Sequence, residues 1–375
     1  MMGSKRMVSS PAARPSLWLV RIAAVLWFIL GLGFLMSLPF LVSWGWRSLA
    51  AVILLSLIIA LVTAWIVGRI SMRQRSRVLR NTLVWTIAWT FLLSTVIGEP
   101  IYYLATVLET SPALVPQITL SNGTKTVIFQ GMQHIGSETF YKGIIYDLEK
   151  ALADGYVLYY EGFQSSPGEG DAWLAKYMTG GTDLSTTYKS LAESCGLTFQ
   201  LDYFALMEED RKLRPDRHVT VDVSTLDMKH EFDRLMRADQ RFAAKIGSIK
   251  DGKSGIQADN QFVKSLVEWQ QRGTDGQKQI AGIICRGVMT LASSDSYGKK
   301  EASPLEPVIL DYRNRVLADR IAEEKSAKIY VTYGAAHIPG VITELRTSDP
   351  NWKVISEKWI RTIEAPRHDQ GKNIL

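Results

Sequence analysis

The sequence predicts an α/β protein carried by three N-terminal transmembrane α-helices, with a mixed, largely parallel sheet in its C-terminal region and a helical insertion. Three observations predict this class. Three long N-terminal stretches contain no charged side chain. Beyond residue 124, short apolar runs alternate with amphipathic stretches, as strands and helices do in α/β domains. Two of those runs end in the same tetrapeptide pattern, Gly-x-x-His, at GMQH and GAAH.

The charge-free stretches are Ile22–Trp44, Ser48–Gly68 and Asn81–Gly98. A helix needs about 20 apolar residues to cross the hydrocarbon core of a bilayer. The third stretch is the shortest, but apolar sequence continues to Leu108. The first stretch is longer than the apolar core of a signal peptide, which spans about 7–15 residues. We therefore predict a three-helix anchor over residues 22–108, and a linker at 109–123.

Basic residues give the expected orientation of this anchor. Residues 1–21 carry four Lys or Arg, the segment between the second and third stretches carries five Arg, and Arg47 alone lies between the first two. Cytoplasmic loops collect Lys and Arg. The N-terminus is therefore predicted to be cytoplasmic, and three crossings would place residues 124–375 outside the cytoplasm.

The globular region has no net positive charge. Residues 1–110 carry ten Lys or Arg and two Glu, so the remainder of a chain with net charge +6 carries a net −2. This balance argues against a nucleic-acid partner. The expected partner of the anchor is the lipid bilayer. The two cysteines, Cys195 and Cys285, fall in this region, where an oxidising compartment permits a bridge. The spacing leaves open whether they pair.

The globular region, 124–375, divides into short elements. Predicted strands are Thr126–Gln130, Val157–Tyr160, Leu197–Phe204, Val219–Val223, Ile329–Tyr333 and Val354–Ile363. Predicted helices are Ser137–Asp154, Asp183–Cys195, Val308–Lys325 and one beginning near Pro339. A helix-rich insertion is predicted at about residues 225–291, broken by the polar loop Asp251–Asp259.

Four polar residues fall at or just beyond the ends of predicted strands, namely His134, Glu161, Asp222 and His337. Ligands bind at the carboxyl edge of the strands in open α/β sheets. Asp222 is the least specific of the four, because an aspartate after a strand commonly caps the next helix. We expect at least His134, Glu161 and His337 to share one site.

The two histidines occupy similar local settings. Each follows a strand and a glycine, Gly131 in one case and Gly334 in the other, and each precedes a helix. The glycine is expected to let the backbone turn sharply, so that the histidine points into the crevice. The other histidines, His218, His230 and His368, lack this context and are predicted to be surface or loop residues.

Two imidazoles and a carboxylate are suitable ligands for Zn²⁺, Mn²⁺ or Co²⁺. The predicted metal ligands are His134, Glu161 and His337, with Glu161 as the third ligand or as a general base. A bound ion with an open position would activate water for amide or ester hydrolysis. The cofactor prediction is therefore a divalent metal ion.

These motifs resemble the TraB/PrgY/GumN–Tiki superfamily. The resemblance rests on GMQH, on GAAH, on the glutamate after the second strand, and on YRNRVLADRIAEEKSAKIYVTYGAAHIPGV, and it covers residues 124–359. The matching positions are Gly131, His134, Glu161, Arg313, Asn314, Gly334 and His337. It implies a Tiki- and erythromycin-esterase-like α/β fold and a divalent-metal-dependent protease acting on extracytoplasmic peptides or proteins. Three N-terminal spans are not the usual anchor of Tiki-type members.

Arg313 and Asn314 enter the predicted catalytic set with Glu161. An arginine here could bind a substrate carboxylate or an oxyanion, or could form an ordinary surface ion pair. The expected function is a membrane-anchored, metal-dependent hydrolase. Two alternatives stay open: a metal-free, esterase-like hydrolase, and a non-catalytic module that binds a peptide or haem at the same edge.

Overall fold

The structure, a computed structural model, describes residues 17–70, 78–181, 183–247, 261–296 and 303–366. The predicted loop at 251–259 and His368 lie outside these ranges. The chain forms two compact units, Met1–Tyr103 and Leu104–Leu375, and each is described by itself.

The N-terminal unit consists of helices, the last of which continues into the second unit. The helices are α1 (Leu17–Trp44), α2 (Trp46–Ile70) and α3 (Val78–Thr110). All three are long and apolar enough to cross a membrane. This result confirms the prediction of a membrane protein with transmembrane helices.

Helices α1 and α3 pack closely through small residues. A Cβ atom on Gly98 would collide with Ser37, and one on Gly33 would collide with Thr95. Beside this contact the rings of Phe34 and Phe91 stack with their centroids 4.7 Å apart. Small residues at helix interfaces let backbones approach, so that dispersion contacts hold apolar helices together.

The second unit contains the strands and the remaining helices of the described chain. The strands are β1 (Leu114–Ser121), β2 (Thr126–Met132), β3 (Ile135–Gly136), β4 (Val157–Tyr160), β5 (Thr198–Phe199), β6 (His218–Thr220), β7 (Lys328–Gly334) and β8 (Lys353–Arg361). The helices are α4 (Glu138–Ala153), α5 (Glu169–Leu174), α6 (Leu184–Ser194), α7 (Gln200–Phe204), α8 (Glu208–Leu213), α9 (Thr225–Ala238), α10 (Gln240–Gly247), α11 (Gln261–Arg272), α12 (Asp275–Ser296), α13 (Tyr312–Glu323) and α14 (Ile338–Ser348).

The main sheet has the strand order β6-β4-β7-β2-β1-β8. Strands β6, β4, β7 and β2 are parallel, whereas β1 runs antiparallel to both β2 and β8. Strands β3 and β5 form a separate antiparallel pair. The prediction of a mixed, largely parallel sheet is therefore confirmed, and helices α9 to α12 occupy the region predicted as a helix-rich insertion.

Helices cover both faces of the sheet. On one face, Phe129 and Val331 pack with Leu317 and Ile321 of α13 and with residues of α14. On the other face, Leu158 and neighbouring strand residues pack with α4. Alternate residues of a strand point to opposite faces, so a strand covered on both sides needs apolar residues throughout.

Residues 114–121, which the sequence analysis placed in a linker, form β1, which pairs with β2 over five residues. Val115 and Leu120 are fully buried there. Pro116 and polar side chains interrupt the apolar pattern, which is why the segment did not predict a strand. Because β1 directly precedes β2 and runs antiparallel to it, a short turn is enough to connect the two strands.

The strand predicted at Leu197–Phe204 is wrong for most of its length. Only Thr198 and Phe199 are extended, and α7 follows. Apolar residues here alternate as in a strand, but the helical turn brings the adjacent rings of Tyr203 and Phe204 against the apolar cluster around α4. Burial of two neighbouring aromatic side chains on one surface favours the helix over the strand.

Cys195 and Cys285 form a disulfide, with Cα atoms 5.2 Å apart. The bond joins the end of α6 to α12. Arg286, buried beside it, donates from Nε to the Cys195 carbonyl (3.0 Å) and from another nitrogen to the Glu364 carbonyl (2.9 Å). The disulfide therefore fixes the segment that leads from α6 into β5.

Candidate active site

The parallel strands β2, β4 and β7 end at one edge of the sheet. Met132 pairs with Gly334, and Tyr160 pairs with Thr332. Glu161 extends the ladder by one residue, because its N–H donates to the Thr332 carbonyl (3.0 Å). The residue after β4 is thus held beside the end of β7.

Both carboxylate oxygens of Glu161 are engaged by protein donors. Arg313 donates to Oε1 (2.7 Å) and the Gly334 N–H donates to Oε2 (2.6 Å). The side chain is largely buried, with 15% of its surface exposed. These two bonds fix the orientation of the carboxylate at the sheet edge.

Arg313 lies at the start of α13 and forms a bidentate ion pair with Asp222. Its Nε donates to Oδ1 (2.8 Å), and its NH2 group donates to Oδ2 (2.6 Å). Asp222 also accepts the backbone N–H groups of Gly162 (3.1 Å) and Val223 (2.8 Å). Ser224, and not Asp222, caps α9. Asp222 therefore belongs to the site through Arg313.

The guanidinium of Arg313 stays charged although it is buried. Burial lowers its pKa, but the hydrogen bonds that it donates to Asp222 and the charges of Glu161 and Asp222 outweigh burial, so that the net shift is upward. The same guanidinium lies over the Tyr333 ring, 5.4 Å from its centroid. A cation over an aromatic face gains further electrostatic stabilisation.

His337 is neutral and fixed from both ring nitrogens. Nδ1 lies 2.7 Å from Oδ1 of Asn314, and Nε2 lies 3.3 Å from the NH1 group of Arg313. Arginine can only donate, so Nε2 is the acceptor and Nδ1 carries the proton. Burial, followed by the charge of Arg313, lowers the pKa of His337 to about 4. Asn314 therefore positions His337 and sets its tautomer.

His337 also approaches Glu161, with Nε2 3.7 Å from Oε1. The ring of Tyr333 meets the His337 ring edge to face, with centroids 4.9 Å apart. The Tyr333 hydroxyl is buried, and it lies near Asp222. Burial, the largest cause, raises the pKa of Tyr333.

His134 lies at the rim of the same edge, where its side chain has solvent access. Its ring stacks on Tyr188 of α6, with centroids 4.5 Å apart, and its carbonyl accepts the Gln200 N–H (2.9 Å). Surrounding protein atoms lower the pKa of His134, Glu161 opposes this shift, and Arg313 reinforces it. His134 is therefore electrostatically coupled to Glu161 and Arg313.

The two motif glycines serve close packing and not a left-handed turn. Neither Gly131 nor Gly334 has a positive φ angle. A Cβ atom on Gly131 would lie 2.8 Å from the Pro116 carbonyl oxygen, and one on Gly334 would lie 3.3 Å from Glu161 Oε2. These glycines are therefore not needed for the sharp turn that we expected. They leave room for neighbouring atoms that a side chain would crowd.

The donor types of the predicted metal set suit a divalent cation, but their arrangement does not. Glu161 Oε1 and His337 Nε2 both face the positively charged guanidinium of Arg313. Across the described ranges, no group of three or more His, Cys, Asp and Glu side chains is arranged to hold a metal ion. A cation at Glu161 and His337 would have to share their acceptor atoms with Arg313.

His218 is buried and not on the surface. Its Nε2 lies 2.8 Å from Asp210 Oδ1, and its Nδ1 lies 3.0 Å from the Tyr160 hydroxyl. His230 is exposed, as expected. Position after a strand was the signal that distinguished His134 and His337 from the other histidines, but it gave no information about the burial of a histidine within β6.

Sequence reasoning missed Tyr333, Gln200 and Tyr188. Tyr333 has a signal in hindsight, because it directly precedes the second Gly-x-x-His motif. Gln200 and Tyr188 have none, since they reach His134 only through the packing of α7 and α6. No protein-family model matches this chain, and neither does any curated protein or solved structure, so the resemblance to the TraB/PrgY/GumN–Tiki superfamily stays a prediction.

Proposed function

We propose that this protein is a membrane-anchored hydrolase whose site is formed by His134, Glu161 and His337, with Arg313 and Asn314 as positioning residues. The observation that carries the proposal is one fixed carboxylate, Glu161, that lies 3.7 Å from His337 and whose charge acts on His134, both histidines having lowered pKa values. Residues whose pKa values are shifted by burial and by specific charges cluster at catalytic sites.

His134 is the proposed general base, because it is neutral at pH 7 and has solvent access. As water attacks the substrate carbonyl carbon, His134 accepts the water proton and becomes an imidazolium. The negative charge of Glu161 stabilises that imidazolium, since it already raises the pKa of His134. The proton then passes to the leaving nitrogen or oxygen, which restores neutral His134.

Peptides or proteins outside the cytoplasm are the proposed substrates. The peptide preference rests on the resemblance of the two histidine motifs. The extracytoplasmic location rests on the arginine distribution around the three spans and is supported by the disulfide between Cys195 and Cys285, because disulfides persist in oxidising compartments. Reporter fusions at residue 366 should be active for a periplasmic or luminal reporter and inactive for a cytoplasmic one, and the reverse pattern rejects this orientation.

A metal-dependent hydrolase is the second candidate. It is favoured by the Asn314 contact, since metal-binding histidines commonly donate their other N–H to an oxygen. Such an ion would polarise the substrate carbonyl and activate water. Because Arg313 already contacts the acceptor atoms of Glu161 and His337, we favour the metal-free hydrolase over the metal-dependent one.

Cleavage of a fluorogenic peptide library by the full-length protein in detergent micelles tests the proposed hydrolase. We expect His134→Ala and Glu161→Gln each to lower the rate about 100-fold or more. His230→Ala is the matched control, because His230 is an exposed histidine on α9. Cleavage that survives both site substitutions would reject the assignment, and saturable peptide binding without cleavage would favour a binding module.

A further inference from the structure

Arg313 has acceptor atoms from four separate segments around its guanidinium. They are the two oxygens of Asp222 after β6, Oε1 of Glu161 after β4, Nε2 of His337 after β7, and the Ile309 carbonyl (3.3 Å) in the π-helical turn before α13. Every nitrogen of the guanidinium thus contacts a protein acceptor. A substrate group would have to displace one of these contacts.

The charges in this cluster explain why a cation is required there. The Asp222 side chain is fully buried, the Glu161 side chain is largely buried, and the Arg313 side chain is about as buried as theirs. Buried carboxylates that share a site repel one another unless a cation lies between them. Two carboxylates and an imidazole are also the donor set that recruits a divalent metal ion.

We infer that the Arg313 guanidinium occupies the position of a divalent cation, so that the native site works without metal. Removal of the guanidinium would expose Glu161, Asp222 and His337 as a divalent-cation site. This inference rests on the proposed function for its catalytic consequence, because it defines the cofactor requirement of the same site.

These contacts also argue against the expected role of Arg313 as a residue that binds substrate. The Tyr333 ring underneath and the Ile309 carbonyl behind it hold the guanidinium in place. Arg313 acts through Glu161 and His337: it fixes the carboxylate and keeps the imidazole neutral. It is a positioning residue.

Metal binding by the full-length protein in micelles tests the inference, with Arg313→Gln as the test variant. Arg315→Gln is the matched control, because Arg315 lies two residues further along α13 and is partly exposed in an ion pair with Glu231. Each protein is stripped with a chelator, equilibrated separately with Mn²⁺ and Zn²⁺, and analysed for bound metal by mass spectrometry. Circular dichroism monitors folding.

Arg313→Gln is expected to bind about one ion per chain, at least about tenfold more tightly than wild type or Arg315→Gln. A folded Arg313→Gln variant without added affinity overturns the inference. If that variant does not fold, the wild type decides: one bound ion that is lost in Glu161→Gln and in His337→Ala overturns the inference, and no such ion supports it.

Peptide cleavage is measured separately, with and without chelator. Cleavage by the wild type that resists the chelator supports the inference, and cleavage that requires Mn²⁺ or Zn²⁺ overturns it. Absence of any cleavage counts against the proposed hydrolase alone, because the metal-binding results are still interpretable.

Discussion

Asn314 Oδ1 accepts a hydrogen bond from Nδ1 of His337 across 2.7 Å, and both residues are buried. This contact joins α13 to the end of β7 and sets which nitrogen of the imidazole carries the proton. The site therefore depends on a contact between α13 and the turn after β7, in which Asn314 lies outside both Gly-x-x-His motifs.

Replacement of Asn314 by Leu removes this acceptor while keeping similar volume. We expect kcat for peptide cleavage to fall about 10–100-fold with a smaller change in KM, because the His337 ring loses its fixed tautomer and orientation. Asn314→Asp keeps an acceptor and should retain more activity than Asn314→Leu. Equal activity of Asn314→Leu and the wild type contradicts this role.

Gly340→Ala should reproduce the Asn314 defect without touching the site directly. A Cβ atom at Gly340 would collide with the Asn314 side-chain amide. Gly143→Ala on α4 is the matched control, since no atom lies within 4 Å of its added Cβ. Steady-state cleavage by the two variants distinguishes a steric effect on Asn314 from a general effect of alanine in a helix.

Asp222→Ala should destabilise the protein strongly, because it leaves the buried Arg313 charge without its two-pronged partner. Loss of one partner of a buried ion pair typically costs about 3–5 kcal/mol of unfolding free energy. Glu323→Ala removes an exposed partner of Arg320 and should cost about 1 kcal/mol or less. Thermal melts of the full-length protein followed by circular dichroism compare the two, and similar shifts in Tm would contradict the prediction.

Stability should fall as the pH is lowered from 6.5 to 4. The pKa of His337 is 6.5 in its unperturbed form and about 4 in the folded protein, so in this range the unfolded chain binds a proton that the native protein does not. Across the whole range from pH 6.5 to 4, this difference in proton binding lowers the unfolding free energy by about 3 kcal/mol. The dependence of Tm on pH measures it, and His337→Gln should flatten the curve between these pH values.

The disulfide predicts a specific labelling pattern. Cys195 and Cys285 are the only two cysteines of the sequence, and both are bonded. Without reductant, the wild type should react with no maleimide–polyethylene glycol, and after denaturation and reduction it should gain two adducts. The single variants Cys195→Ser and Cys285→Ser should each gain one adduct without reductant, once denatured. Two adducts on the non-reduced, denatured wild type would contradict the bond.

Loss of that bond should lower stability by about 2–5 kcal/mol, because the bridge closes a loop of 90 residues in the unfolded chain. Thermal melts of Cys195→Ser/Cys285→Ser and of the reduced wild type, each compared with the oxidised wild type, measure the effect. We also expect weaker ordering of α6 and Tyr188, since the bond anchors the end of that helix beside His134.

The sequence alone determined the features that local patterns encode. Charge-free length predicted the three spanning helices, and the strands before His134, Glu161 and His337 predicted a shared sheet edge. The helix predicted to begin at Asp183 does so, because the Asp183 side chain accepts the N–H groups of Ser185 and Thr186. Each of these follows from periodicity or from a capping residue within a few positions of the element.

Only the tertiary structure decided how these parts meet. Arg313 is 91 residues from Asp222 and 152 from Glu161, and the three side chains converge because β4, β6 and α13 pack side by side. The membership of β1 in the sheet, the buried position of His218 and the pairing of Cys195 with Cys285 have the same origin. Such contacts depend on which faces of distant elements are buried together, and the residues near each position in the chain do not specify this. The sequence predicted a carboxylate and two histidines at one sheet edge, and the fold added the arginine that contacts Glu161 and His337.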